Sequence, residues 1–179
     1  MSVFHFLSDV IALFLMWLFL RAAVHKLSPD NRYYYLQLMA DYGVSSSKLA
    51  AALYKCLGTL ELVVAMAMLA ASTRFYATII AVALLGMYLL GMTAQLIKGK
   101  RDLSCGCSGP NSHLKISWPL IIRNAVLICI ALMCTLPGVG FTSPLSFAIF
   151  MTCGFMILFY SCVENLIANA QKISILRAY

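Results

Sequence analysis

Charge is scarce in this chain. Of 179 residues, 13 are Lys or Arg and 6 are Asp or Glu, so 11% are charged while 63% are apolar. The mean hydropathy is +0.91. Ordinary globular domains carry about 25% charged residues, and the shortfall excludes one of them here. Equally absent are an internal repeat, a low-complexity tail and any linker dividing residues 1–179, so a single domain is expected. No ten-residue alternating pattern appears, which excludes a transmembrane barrel. Open strands are excluded too, because an unpaired edge in hydrocarbon is too costly. The first apolar run lacks a basic leader and a small-residue cleavage site and carries Asp9 early, which reads as a retained helix rather than a signal peptide.

What remains is long apolar runs, each near the roughly 20 residues that a bilayer-spanning helix needs. Spans are predicted at Phe4 to Val24, Ala50 to Ala71, Phe75 to Ile97, Trp118 to Leu136 and Leu145 to Glu164. The five prolines agree with this parse. Pro29, Pro110, Pro119, Pro137 and Pro144 all fall in loops or at a first helical turn, where a missing N–H breaks no helical bond. The fold class is all-α, a polytopic membrane bundle of about five transmembrane helices.

Five spans sort the loops into two sets, and their charges differ. Lys26, Arg32, Lys48, Lys98, Lys100, Arg101, Lys115, Lys172 and Arg177 lie on one side, with Arg21, Lys55 and Arg123 leaning the same way; only Arg74 opposes them. The positive-inside rule makes that side cytoplasmic, with the N-terminus outside. The net charge of +7 then reads as orientation and contact with anionic lipid, and gives no reason to invoke nucleic acid. A sixth element or a re-entrant segment among Tyr33 to Val44 would reverse the assignment.

Seven cysteines divide by location. Cys56, Cys129, Cys134, Cys153 and Cys162 fall in helices, where an apolar setting makes a thiol an inert small hydrophobe. Cys129 and Cys153 sit at similar depth, roughly 12 Å from one face, and could meet across the last two spans. Cys105 and Cys107 differ, standing one glycine apart in the polar loop "RDLSCGCSGPNSH". Lys100 and Arg101 favour their thiolates, and Gly106 gives the freedom to close a short, strained disulfide of the labile kind. A metal clamp with His113 and a third thiol, or an inert turn, are the other readings; no second cysteine cluster of the kind usual in zinc sites is visible.

Intramembrane ionisable groups make the second constellation. Arg21 and His25 share one face of the first span, Glu61 lies near mid-bilayer, and Arg123-Asn124 stand one to two turns into the fourth. A charge at that depth requires a partner, and Arg123, Arg21 or Lys55 is expected to serve Glu61. The set either fixes helix register as buried pairs or forms a polar pocket that binds a quinone head group or relays protons.

These residues resemble the methylamine utilisation protein MauE family of DoxX-like membrane proteins. The likeness rests on "RAAVHKL" at Arg21 to Leu27, "GTLELV" around Glu61, the "KGKRDLSCGCSG" loop and "IIRN" at Ile121 to Asn124. Ser104 and Ser108 stand where the family carries an acidic and an aromatic residue. The resemblance implies a four-helix DoxX-like core plus one helix, in a bacterial inner membrane. It also implies a thiol-disulfide redox role in maturing a disulfide-rich secreted client, beside a thioredoxin-like partner. Cys105 and Cys107 would then be the catalytic pair, a possible quinone-linked oxidoreductase centre, and Arg21, His25, Glu61, Arg123 and Asn124 the polar binding or relay set. The alternative is a non-catalytic assembly factor or small-ligand-binding protein that uses the polar set alone. An extracytoplasmic client and a cytoplasmic loop are reconciled by electron passage from Cys105/Cys107 towards Cys129, Cys134 and Cys153, or by a different topology.

Overall fold

The computed structural model describes residues 3–99, 116–135 and 146–177, with side chains to Ile173. Among these residues six α-helices follow one another: α1 (Val3–Leu27), α2 (Arg32–Asp41), α3 (Ser47–Ala67), α4 (Arg74–Ile97), α5 (Trp118–Met133) and α6 (Ser146–Arg177), with a 3-10 turn at Pro29–Asn31. Four of them, α1, α3, α4 and α6, are long and apolar enough to cross a membrane, and α5 is a shorter apolar helix. No strand occurs among the described residues. The chain is a polytopic membrane helical bundle.

The expected spans match α1, α3, α4, α5 and α6 to within a few residues at most ends. The larger difference is α6, whose 32 residues continue well past Glu164 and span ~48 Å at the helical rise. Pro119 stands in the first turn of α5, and Pro29 opens the 3-10 turn. The segment Tyr33 to Val44 holds most of α2, which at 10 residues is too short to cross a bilayer.

α1 is the axis of the bundle. Half of its membrane-length window is buried, against a third for α3 and α4 and less for α6. Val10, Leu13, Phe14, Leu15 and Phe19 of α1 anchor one apolar core with Val64, Met68, Leu84, Leu127 and Ile149. Between helices in lipid, packing and polar contacts replace the hydrophobic drive, so close approach matters. Gly58 provides it: a Cβ there would lie 3.1 Å from Lys26 Cβ and 3.2 Å from Leu27 Cδ2. Gly58→Leu is therefore expected to lower stability by roughly 1–3 kcal/mol through overpacking. Thermal unfolding in detergent checks this, and an unchanged midpoint would show the crossing to be loose.

α2 packs on the N-terminal half of α3, Tyr35 and Leu38 meeting Tyr54 in a small second core. Its end is a Schellman turn. Gly43, at φ 99°, lets Val44 N–H reach Met39 O at 3.0 Å and Gly43 N–H reach Ala40 O at 2.9 Å. Tyr42 then joins α4's Met92 and Leu96, α5's Leu120, and Ile167 and Ala168 of α6. The bundle thus has an α2 end, where α1 and α4 finish and α3 and α5 start, and an opposite end, where α4 and α6 start.

Candidate functional site

Among the described residues, three ionic centres tie the helices. At the opposite end, Arg74 Nη1 donates to Asp9 Oδ1 at 2.5 Å, joining α4 to α1. Arg74, the lone basic residue against the charge bias, is 4% exposed and charge-matched, so it says little about orientation.

The second centre is Glu61. This fully buried carboxylate receives Lys26 Nζ on both oxygens, at 2.6 and 2.8 Å, and the Tyr88 hydroxyl on Oε1 at 2.5 Å. The partner is Lys26, which corrects the expectation of Arg123, Arg21 or Lys55. The cause is Gly58, one turn before Glu61: α1 ends against it, and the Lys26 side chain drops into the gap instead of reaching the interface. Lys55 lies on an exposed face of α3.

Both arginines turn to a residue that had been assigned no role. Glu164 of α6 accepts from Arg21 Nη1 at 3.1 Å and from Arg123 Nη1 at 2.7 Å, with the Tyr160 hydroxyl at 3.2 Å. Aromatic faces complete the third centre, with Arg123 5.5 Å from the Tyr160 ring and Arg21 5.5 Å from that of Trp17. A signal for Glu164 did exist in the sequence: it is an acid inside the apolar run "FMILFYSCVENLIANA", with a tyrosine one turn before it.

Glu61 and Arg123 still share a space. A cavity of about 30 Å³ is lined by Glu61, Tyr88, Arg123, Asn124 and Tyr160. Asn124 is 2% exposed, and its Nδ2 finds no acceptor among the described residues. A void of that size with several polar walls suits a single water. His25 stands apart. Half-buried at the end of α1, it offers its backbone carbonyl to Asn31 Nδ2 at 2.9 Å, and its ring pairs with neither carboxylate.

Next to the Glu61 centre lies a larger cavity of about 200 Å³ between α1, α2, α3 and α4. Lys26 and Tyr88 form its polar wall, Tyr35, Leu38 and Tyr42 its roof from α2, and Met87 and Gly91 its side along α4. Tyr88 thus touches both spaces, a role that sequence reasoning missed because an isolated tyrosine in an apolar helix reads as packing.

Of the helical cysteines, only Cys134 and Cys153 pack inside; Cys56, Cys129 and Cys162 lie on exposed faces, and all five are free. Inert packing therefore describes two of them, and Cys129 makes no disulfide with Cys153. Cys134 Sγ lies 3.6 Å from Ser8 O at the opposite end. Cys105, Cys107 and His113 lie outside the described residues. Their segment joins Gly99 at the end of α4 to Ile116 before α5, both at the α2 end.

Comparison with known proteins gives these residues a common setting. A family model, Methylamine utilisation protein MauE, matches residues 4–137. The methylamine utilization protein MauE of Paracoccus denitrificans is 27% identical over 120 residues, 67% of this chain and 63% of that protein. The one of Paracoccus versutus is 35% identical over 48 residues, 27% of this chain and 26% of its own length. The chain thus matches less than two thirds of the length of each relative. No solved structure matches it. The family match holds Asp9, Lys26, Glu61, Arg74, Tyr88, Arg123 and both loop cysteines, and leaves Glu164 beyond it; on that match the chain belongs to the methylamine utilisation protein MauE family.

Proposed function

We propose that this protein is a thiol-disulfide redox component of methylamine utilisation, set in a bacterial inner membrane. It helps form the disulfides of a secreted client beside a thioredoxin-like partner. The observation that carries the reading is Cys105-Gly106-Cys107 within the family match, in the connection between two helices that border the buried Lys26–Glu61 centre. The exchange is balanced within the two proteins. A partner thiolate attacks the Cys105–Cys107 disulfide, a mixed disulfide forms, and the partner's second thiol resolves it. The partner leaves oxidised and the loop leaves as a dithiol, two electrons and two protons richer. Lys100 and Arg101 favour thiolate in the loop, which makes it a better leaving group.

The test is a pair of variants, Cys105→Ser and Cys107→Ser. One of them, met by the oxidised partner, should accumulate a covalent adduct, because its remaining thiol enters the reverse exchange and the loop has no second thiol to complete it; the double variant should show none. Matured client should fall by about tenfold or more in each single variant, the scale of a lost catalytic step. Normal client yield from both would exclude the redox role and leave the non-catalytic assembly factor, for which substitutions at Glu61 or Arg21 matter instead. Labelling of intact cells with a membrane-impermeant maleimide, before and after permeabilisation, reports the side. Protection until permeabilisation is the outcome that the basic residues around the loop predict.

A further inference from the structure

We infer that the 200 Å³ cavity under α2 is a binding site for the ring of a lipid-borne quinone, with a ring carbonyl accepting a hydrogen bond from Lys26 Nζ. The cavity has a built polar wall in an otherwise apolar shell. Lys26 is 4% exposed, and its ammonium carries three N–H donors, two of which go to the Glu61 carboxylate. The ammonium also lies 5.1 Å from the Tyr88 ring centroid, and Lys26 lines the cavity, where its third N–H would meet the ring carbonyl.

Charge decides what class of ligand fits. Glu61 already matches Lys26 in a two-oxygen contact, so a carboxylate or phosphate would bring a second anion to a single cation in a dry site. A cationic ligand would face the ammonium. The wall therefore selects a neutral acceptor, and a carbonyl is the compact one.

Size and access decide its shape. Pockets for drug-sized ligands run from roughly 300 Å³ upward, so this one holds a single substituted ring and leaves any tail outside. The walls that receive the ring are Tyr35, Tyr42 and Leu38 of α2 against Met87 and Gly91 of α4. Met87 is 46% exposed, so the wall it forms reaches the outer surface of a membrane-length helix, where a tail meets lipid. Gly91 lines the space without filling it: a Cβ there would stand 3.6 Å from Tyr42 Cε1, in ordinary contact, and a larger side chain would take the volume assigned to the ring.

The site has a further consequence that rests on the thiol reading above. A bound quinone reoxidises the loop dithiol with atoms balanced, one quinone and two thiols giving one hydroquinone and one disulfide. Binding itself is independent of that reading and is measured without it.

The experiment is calorimetric titration of the full chain in lipid nanodiscs with decylubiquinone. Saturable binding to one site per chain is expected. Affinity should drop by about tenfold or more in Gly91→Phe, and by a similar factor when the two ring carbonyls of the probe are replaced by hydrogens. Should Gly91→Phe fail to fold, Lys26→Met/Glu61→Gln removes the ammonium and should show the same loss. The proposal is overturned by absent saturation in the wild type, by equal affinity of the carbonyl-free probe, or by unchanged affinity in the variants. Failure here leaves the mixed-disulfide result intact, and failure of the mixed disulfide leaves the binding isotherm intact, so the two readings stand or fall separately.

Discussion

Replacing Lys26 by methionine is expected to destabilise the protein by about 3–5 kcal/mol, the cost of stranding a buried charge without its counter-ion. The geometry makes the loss hard to avoid. The Glu61 side chain is 1% exposed and that of Lys26 is 4%, so neither can turn to solvent when its partner goes. With Lys26 removed, Glu61 retains the Tyr88 hydroxyl as its donor. Glu61→Gln alone should do comparable harm by leaving the ammonium unmatched. The pair Lys26→Met/Glu61→Gln should recover most of the stability, because the desolvation penalty disappears along with the attraction. A double-mutant cycle read by thermal unfolding in detergent measures this. Additive losses in the double variant would show that the two groups do not depend on one another. The recovered variant also separates two roles of the centre, since a stable fold without the ammonium should lose the quinone.

The helices were largely legible in the chain, and their polar connections were not. Apolar runs of bilayer length, together with Pro119 at the start of α5, mark the crossings because a helix in lipid must satisfy its own backbone within a continuous segment. Pairing is a different kind of information. Lys26 follows Arg21 and His25 at a helix end, where a lysine ordinarily reaches for the interface. What turns it inward is Gly58, a small residue 32 positions later, through a close approach that no local pattern announces. Arg123 was expected to reach Glu61, and it does line the small cavity with it, yet its bond goes to Glu164. The choice between two acids is made by the placement of α5 and α6 around α1, a tertiary property. Asn124 is a middle case: its depth marked it as polar and buried, while the open cavity at its Nδ2 emerges only once Tyr88 and Glu61 are in place. The two-cysteine loop is the reverse, a chemical signal plain in sequence and independent of the packing around it.

Glu164→Gln is the second change with a large expected effect, and its signature should be regional. α6 is the least buried of the membrane-length helices, with 17% of its window inside the protein. Its hold on the bundle therefore leans on polar contacts, and Glu164 makes two of them, to Arg21 of α1 and Arg123 of α5. The arginines respond differently to its loss. Arg21's side chain is 34% exposed and can move outward to the interface, while that of Arg123 is 6% exposed and has no such exit. The penalty thus falls on Arg123, at about 3–5 kcal/mol for a buried charge left without its partner. Adding Arg123→Met to Glu164→Gln should restore most of it. Because α1, α3 and α4 keep the Lys26–Glu61–Tyr88 centre, hydrogen exchange should rise in α6 and stay low in α3. Uniform deprotection of both helices in Glu164→Gln would instead make the Arg–Glu–Arg centre a support for the whole bundle, and equal stability of the variant and the wild type would remove it from the forces that hold α6.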